Sequence, residues 1–184
     1  MSKKIIVFII VILILTGGFF WWWEKQPKEP KTYSEVFEEP IDPNLEPERH
    51  KEVYEKVQKI VHFPVMCPKE MPEGYKLVSV EATEGSKIEE RKYYGMNTIT
   101  YEDKEKNKKI QIMEGIADLG IQATGIGIIS LNNGKEGWLW KSAEEGLMGV
   151  TYSDEKLGID YIVTGINVSQ EEIIEVANFL IETK

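Results

Sequence analysis

The sequence predicts an α+β fold, an antiparallel sheet packed by an N-terminal and a C-terminal helix and preceded by one transmembrane helix. Three observations predict it. Residues 5–23 are an unbroken apolar run, eight short segments between residues 75 and 164 read as strands separated by turns, and two amphipathic stretches bracket those strands.

The run at 5–23, IIVFIIVILILTGGFFWWW, follows Lys3 and Lys4. At about 1.5 Å rise per residue it makes a helix of roughly 28 Å, close to the hydrocarbon thickness of a bilayer. The lysines favour a cytoplasmic residue 1–4 segment, and Phe19, Phe20, Trp21, Trp22 and Trp23 suit the opposite interface. A cleaved secretory signal would also open with lysines and an apolar stretch. This run is longer than a signal core, and only Thr16, Gly17 and Gly18 offer small residues near a cleavage point. The lack of a polar face argues against a buried core helix. An uncleaved anchor is the favoured reading: a single-pass protein of the cell membrane with its C-terminal domain extracytoplasmic.

Charge agrees with that topology. The chain has 22 basic and 31 acidic residues, a net charge of -9. Lys3 and Lys4 are the only charges before Glu24, so the rest carries 20 basic against 31 acidic side chains, a net of -11. Anionic lipid and nucleic acid both repel such a body, and no basic stripe with interleaved aromatics is present. Nucleic acid is excluded as a partner. The expected contacts are the membrane through Ile5 to Trp23 and an envelope protein or a hydrophobic ligand.

Residues 24–47 are rich in proline and charge, a composition that buries too little apolar surface to offset the entropy of ordering. They are expected to form an extended, stiff tether. Residues 48–61 place Val53, Val57, Ile60 and Val61 at helical spacing among charges, and Pro64 stops the helix. The expected strands are 75–81, 87–94, 97–102, 108–113, 126–131, 136–141, 148–153 and 160–164. Asn133-Gly134 is expected to take positive φ at both positions of a tight hairpin, and 103–107 and 153–158 read as two more turns. Successive hairpins imply antiparallel pairing. Residues 169–182 close the chain as a helix, with a capping box at Ser169 and Glu172 and a stripe of Ile173, Val176, Ala177 and Leu180 widened by Ile174 and Ile181. Residues 48–184 thus form one domain large enough for its own core.

The stretch FPVMCPKEMPEGYKLVSVEATEG at 63–85, with P-x-x-x-P-E-G-Y-K-L from Pro68 to Leu77, resembles the opening of a bacterial family known as domain of unknown function four-three-six-seven. The elements TITYED, KKIQIMEG, NNGKEGWLWK, VTYS and SQEEIIEVA follow in the family's order, so the resemblance covers residues 63–184. Members are typically single-span proteins with this domain outside the membrane, some attached to regulators similar to anti-sigma factors. The layout is also similar to lipoprotein-carrier and envelope-stress sensor domains, whose antiparallel sheet bends around helices to form an apolar pocket. The resemblance therefore implies a curved sheet and a ligand- or partner-sensing ectodomain. It supplies no catalytic residues. With only residues 1–4 on the cytoplasmic side, any signal would have to pass through another membrane protein.

A search for chemistry yields little. Cys67, the only cysteine, reads as a small buried hydrophobe, with an intermolecular disulfide as the alternative. His50 and His62 lack metal-ligand spacing, so neither a metal nor another cofactor is expected. No serine has a G-x-S-x-G setting, and paired glutamates such as Glu89-Glu90, Glu144-Glu145 and Glu171-Glu172 point apart along their elements. No enzyme is expected. The glycine-rich stretch 115–127, GIADLGIQATGIG, has two readings, a lid over a hydrophobic pocket or a loop folded into the core, with the second favoured. Trp138 and Trp140 share a strand face, with Tyr152 expected nearby, as a binding platform or as core. Ile116, Leu119, Ile121, Trp138, Trp140 and Tyr152 are accordingly the candidate ligand-binding residues. The function these features suggest is a non-enzymatic, membrane-anchored binding or sensory domain, the alternative being a lipid or lipoprotein binder with an apolar pocket.

Overall fold

The computed structural model describes residues 29–85, 95–115, 123–143 and 146–182. The expected membrane run at 5–23, the expected strand at 87–94, and Ile116, Leu119 and Ile121 lie outside these residues. Among the described residues no helix is long and apolar enough to cross a membrane.

The described chain runs β1 (Thr32–Ile41), α1 (Pro47–Gln58), β2 (Met66–Pro68), β3 (Lys76–Glu84), β4 (Gly95–Asp103), β5 (Lys108–Gly115) and β6 (Ala123–Ser130). It continues through β7 (Glu136–Ser142), β8 (Leu147–Asp154), β9 (Ile159–Ile166), α2 (Gln170–Asn178) and β10 (Leu180–Glu182). Eight strands form one open antiparallel sheet in the order β1-β3-β4-β5-β9-β8-β7-β6, and β2 pairs separately with β10. The α+β class and the antiparallel sheet are as the hairpin pattern predicts. Two meanders, β3-β4-β5 and β6-β7-β8-β9, meet where β5 pairs with β9.

The turns show why these residues make hairpins. Asp103 Oδ1 accepts from the N–H groups of Glu105 and Lys106, both at 3.1 Å, before Asn107 turns the chain at φ 53°. Asp154 does the same for Lys156 and Leu157, and Gly158 follows at φ 67°. At the β6–β7 turn the expectation needs correction. Only Gly134 takes positive φ, at 77°, because the loop is longer than two residues, and Asn133 instead accepts from the Lys135 N–H at 3.0 Å.

Alternation along the strands sends one set of side chains under both helices. The core joins Val53, Tyr54 and Val57 of α1 and Ile173, Val176 and Ala177 of α2 to Leu77, Val80, Ile99, Ile110, Ile112, Leu139, Val150 and Val163 of the sheet. α1 lies against β1 and β3, and α2 against β8 and β9. The Ser169–Glu172 capping box forms as the motif predicts, and Lys108 Nζ holds both Glu172 carboxylate oxygens at 2.8 Å.

Two other expectations are corrected. The segment read as tether contains β1, which pairs with β3 from Thr32–Thr83 to Ile41–Leu77 and buries Phe37 and Ile41. An edge strand with most side chains in water has the composition of a linker, and that hid it. The C-terminal helix ends at Asn178 rather than running to residue 182, because Leu180 leaves the helix to pair with Pro68 and reaches the core from extended backbone.

The two sheet edges differ. β1 carries Glu35, Glu38, Glu39 and Pro40 and a register break, whereas β6 has no charged residue between Ala123 and Ser130. Charge, proline and irregularity blunt an edge against pairing, and β6 has only its bulge near Ile126.

Gly165 lets α2 approach the sheet, since a Cβ there would stand 2.5 Å from Ile173 Cδ1 and closer still to Val168. Gly165→Ala is expected to destabilise the domain by about 1–3 kcal/mol through overpacking. Urea unfolding checks this, and an unchanged midpoint would contradict the α2 packing described.

Candidate functional site

The face of the sheet away from the helices is where the sequence pattern departs from an ordinary solvated surface. Cross-strand register places Val36, Ser79, Thr100, Gln111, Thr164, Gly149, Trp140 and Gly125 in one row across all eight strands. The next row sets Thr98, Met113, Ile162, Thr151, Trp138 and Ile128 side by side across six strands. Across β4 to β9 neither row holds a charge, in a chain that is 29% charged; the second row meets Glu81 where it reaches β3. Thr100, Thr164, Trp140 and Ile162 within these rows are buried, so the exposed apolar part of the face lies at β6 and β7.

Glycines shape this band. Trp140 lies over Gly149, where a Cβ would come within 2.5 Å of the indole, and its Nε1 donates to Thr151 Oγ1 at 2.9 Å. Trp138 lies over Gly125, with a Cβ there 2.7 Å from Nε1. Trp140 is consequently 2% exposed and forms part of the floor, whereas Trp138 stays 44% exposed beside Ile128 at 72% and Ile126 at 50%. The result is an apolar surface at the β6–β7 edge of the band.

The candidate residues therefore separate. Trp138 and Trp140 share one face, as the two-residue period predicts. Tyr152 does not join them. It points to the helix side, is buried, and stacks on Tyr161 with ring centroids 5.0 Å apart. Adjacent positions on a strand face opposite ways, so the partner of Trp138 is Thr151 and not Tyr152.

A second polar assembly lies inside the core, and sequence reasoning missed it. His50 Nε2 meets Tyr101 Oη at 2.9 Å, and Tyr101 Oη meets Tyr54 Oη at 2.7 Å. Near them are Cys67 on β2 and Glu114 on β5, the latter fully buried. Burial lowers His50 to about 4 and raises the hydroxyls of Tyr54 and Tyr101; burial and the neighbouring Glu114 carboxyl push the Cys67 thiol up to about 11. These shifts keep the imidazole, the two phenols and the thiol neutral, the reverse of what a thiolate nucleophile needs. Cys67 packs half-buried against the core, close to the expected small hydrophobe. His62 is elsewhere, exposed and 3.2 Å from Glu84. Among the described residues no group of three or more His, Cys, Asp or Glu side chains is arranged to hold a metal.

The missed residues did leave a signal. His50 and Tyr54 continue the stripe of Val53 and Val57, and Glu114 continues the alternation of Ile110 and Ile112. The two tryptophans are expected to behave differently on truncation. Trp140→Ala should cost about 3–5 kcal/mol of stability and Trp138→Ala no more than about 1 kcal/mol, as measured by urea unfolding.

Comparison with models of known protein families, with curated proteins and with solved structures finds no match for this chain.

Proposed function

We propose that the protein is a non-enzymatic binding or sensory domain of a bacterial envelope, anchored by a single span at residues 5–23 and facing outward. Residues 1–4 stay in the cytoplasm, and the residues before β1 space the domain from the bilayer. The sheet curves around its two helices and offers Ile126, Ile128 and Trp138 at its β6–β7 edge to an envelope protein. The observation that carries this reading is the exposed apolar cluster of Ile126, Ile128 and Trp138 at the β6–β7 edge. Contiguous apolar surface of this kind marks interaction sites. The Cys67 thiol, held protonated by burial, supports a role without thiolate chemistry. The resemblance to the family of unknown function adds the expectation of an ectodomain of this type.

A lipid or lipoprotein binder is the second reading, with Ile116, Leu119 and Ile121 joining Trp138 around an apolar pocket. Met96 and Met113 on the open face favour it, since thioethers adapt to varied apolar ligands. The described clefts do not suit an acyl chain. One of about 410 Å³ is lined by Pro40, Glu73, Gly74, Lys76 and residues 102–106, and a second by residues 35–39 and Arg49.

A photo-crosslinking amino acid placed at Ile128 in intact cells tests the surface, with Leu45, exposed ahead of α1 and outside both rows, as the control. A discrete protein adduct at 128 and not at 45 is the expected result. An adduct of lipid mass would favour the second reading, and equal, diffuse labelling at both positions would overturn both. Protease added to intact spheroplasts is expected to remove the domain; full protection would place it on the wrong side of the membrane.

A further inference from the structure

Glu114 is an acid in the middle of an apolar core. It is wholly buried on the helix side of β5, and its two oxygens accept from the Met66 N–H at 2.9 and 3.1 Å. Met66 and Cys67 of β2 are half-buried, so β2 is the layer between this carboxyl and solvent. β2 and β10 pair only with each other among the described strands, outside the ladders of the large sheet. This ribbon can lift without breaking any pairing of the eight strands.

The groups around Glu114 supply no counter-charge. Asn97 on β4 and Tyr161 on β9 are its cross-strand neighbours. Tyr54 of α1, Tyr101 of β4, Cys67 of β2 and Tyr152 of β8 lie close enough to feel its charge, with His50 behind Tyr101. Lys135, over the rings of Tyr152 and Tyr161, is held by Asp154 at 2.8 Å. Asn97 is fully buried, and neither its amide nitrogen nor its amide oxygen makes a well-formed hydrogen bond. Either state of the carboxyl can pair with this amide, the acid by donating to Oδ1 and the carboxylate by accepting from Nδ2, so the missing counter-charge and not Asn97 decides against ionisation.

We propose that Glu114 is a proton-operated latch: as the neutral acid it lets the β2–β10 ribbon close over it, and on ionisation it drives that ribbon off the sheet. Ionisation leaves the Met66 N–H bonded but strands a charge in the core without a cation. The route by which water can reach it is past β2. Burial raises the Glu114 carboxyl well above its ordinary 4.5, an effect the Met66 N–H and the Asn97 amide only partly oppose. Below pH 4.5 both the closed and the open forms hold the proton, and closure is at full strength. Above it the open form gives the proton up first, so closure weakens as pH rises and is lost through the closed-state value.

Cys67, the single cysteine, sits on the ribbon and reports its opening. In full-length protein in detergent micelles, the alkylation rate of Cys67 is measured against pH for the wild type and for Glu114→Gln, which cannot ionise. Because the Glu114 carboxyl also raises the Cys67 thiol, each rate is divided by the thiolate fraction from a Cys67 titration of the same protein before the ratio is taken. The wild-type to variant ratio is expected to climb with pH by up to about tenfold per unit, with near-UV circular dichroism otherwise retained. A flat ratio, or labelling only on global unfolding, would overturn the latch. Should the variant fail to fold, a titration of the Glu114 carboxyl carbon shift in the wild type decides: a midpoint above the ordinary carboxylate range is expected, and one within it refutes the proposal.

Discussion

Seven residue pairs between β5 and β9, from Lys109–Ile166 to Gly115–Asp160, join two runs of hairpins that share no other ladder. Everything of interest crosses that seam. Ile112 and Val163 meet there at the centre of the core, Gly165 receives α2, Glu114 faces Tyr161, and Met113 hands the uncharged row to Ile162. The pairing is also long-range, since the chain must complete residues 108–166 before it exists. Loop-closure entropy therefore opposes it more than any single hairpin, and the hairpins on either side must form first or together with it. The two helices then act as clamps, one on each meander.

The same alternation that builds the core builds the open face, and the two faces invert the usual rule. An acid is on the inside, and across β4 to β9 the two central outer rows carry no charge. A one-residue slip of β5 would exchange Ile110, Ile112 and Glu114 for Gln111 and Met113, exposing two large apolar side chains and burying an amide. The register is thereby fixed by the core, and the composition of the outer band is free to serve something else.

Much of this was legible from local pattern. Strands β3 to β9 sit within a few residues of the alternating segments, and the capping box located the start of α2. What escaped detection depends on partners distant in sequence. β1 is a strand only because β3 offers it an edge, and its acids and proline describe a linker equally well. Leu180 continues the helical stripe of Ile173 and Val176, so periodicity could not show that the chain unwinds to meet Pro68. Trp138 and Trp140 share a face as expected. Their different exposure depends on which glycine lies beneath each ring, information held in register rather than in spacing. Glu114 lay in plain view at an alternating position, but a glutamate in that slot reads as a strand end until Met66 is brought to it.

The lopsided protection of the sheet edges limits how copies can associate. A second molecule added along β6 would leave the acidic, proline-bearing β1 on both outer flanks of the pair. Growth of that kind terminates at two, because an endless ribbon requires receptive strands on both sides of every unit. Crowded copies of this domain are thus protected from fibril formation by the flank that looked, in composition, like mere connecting chain.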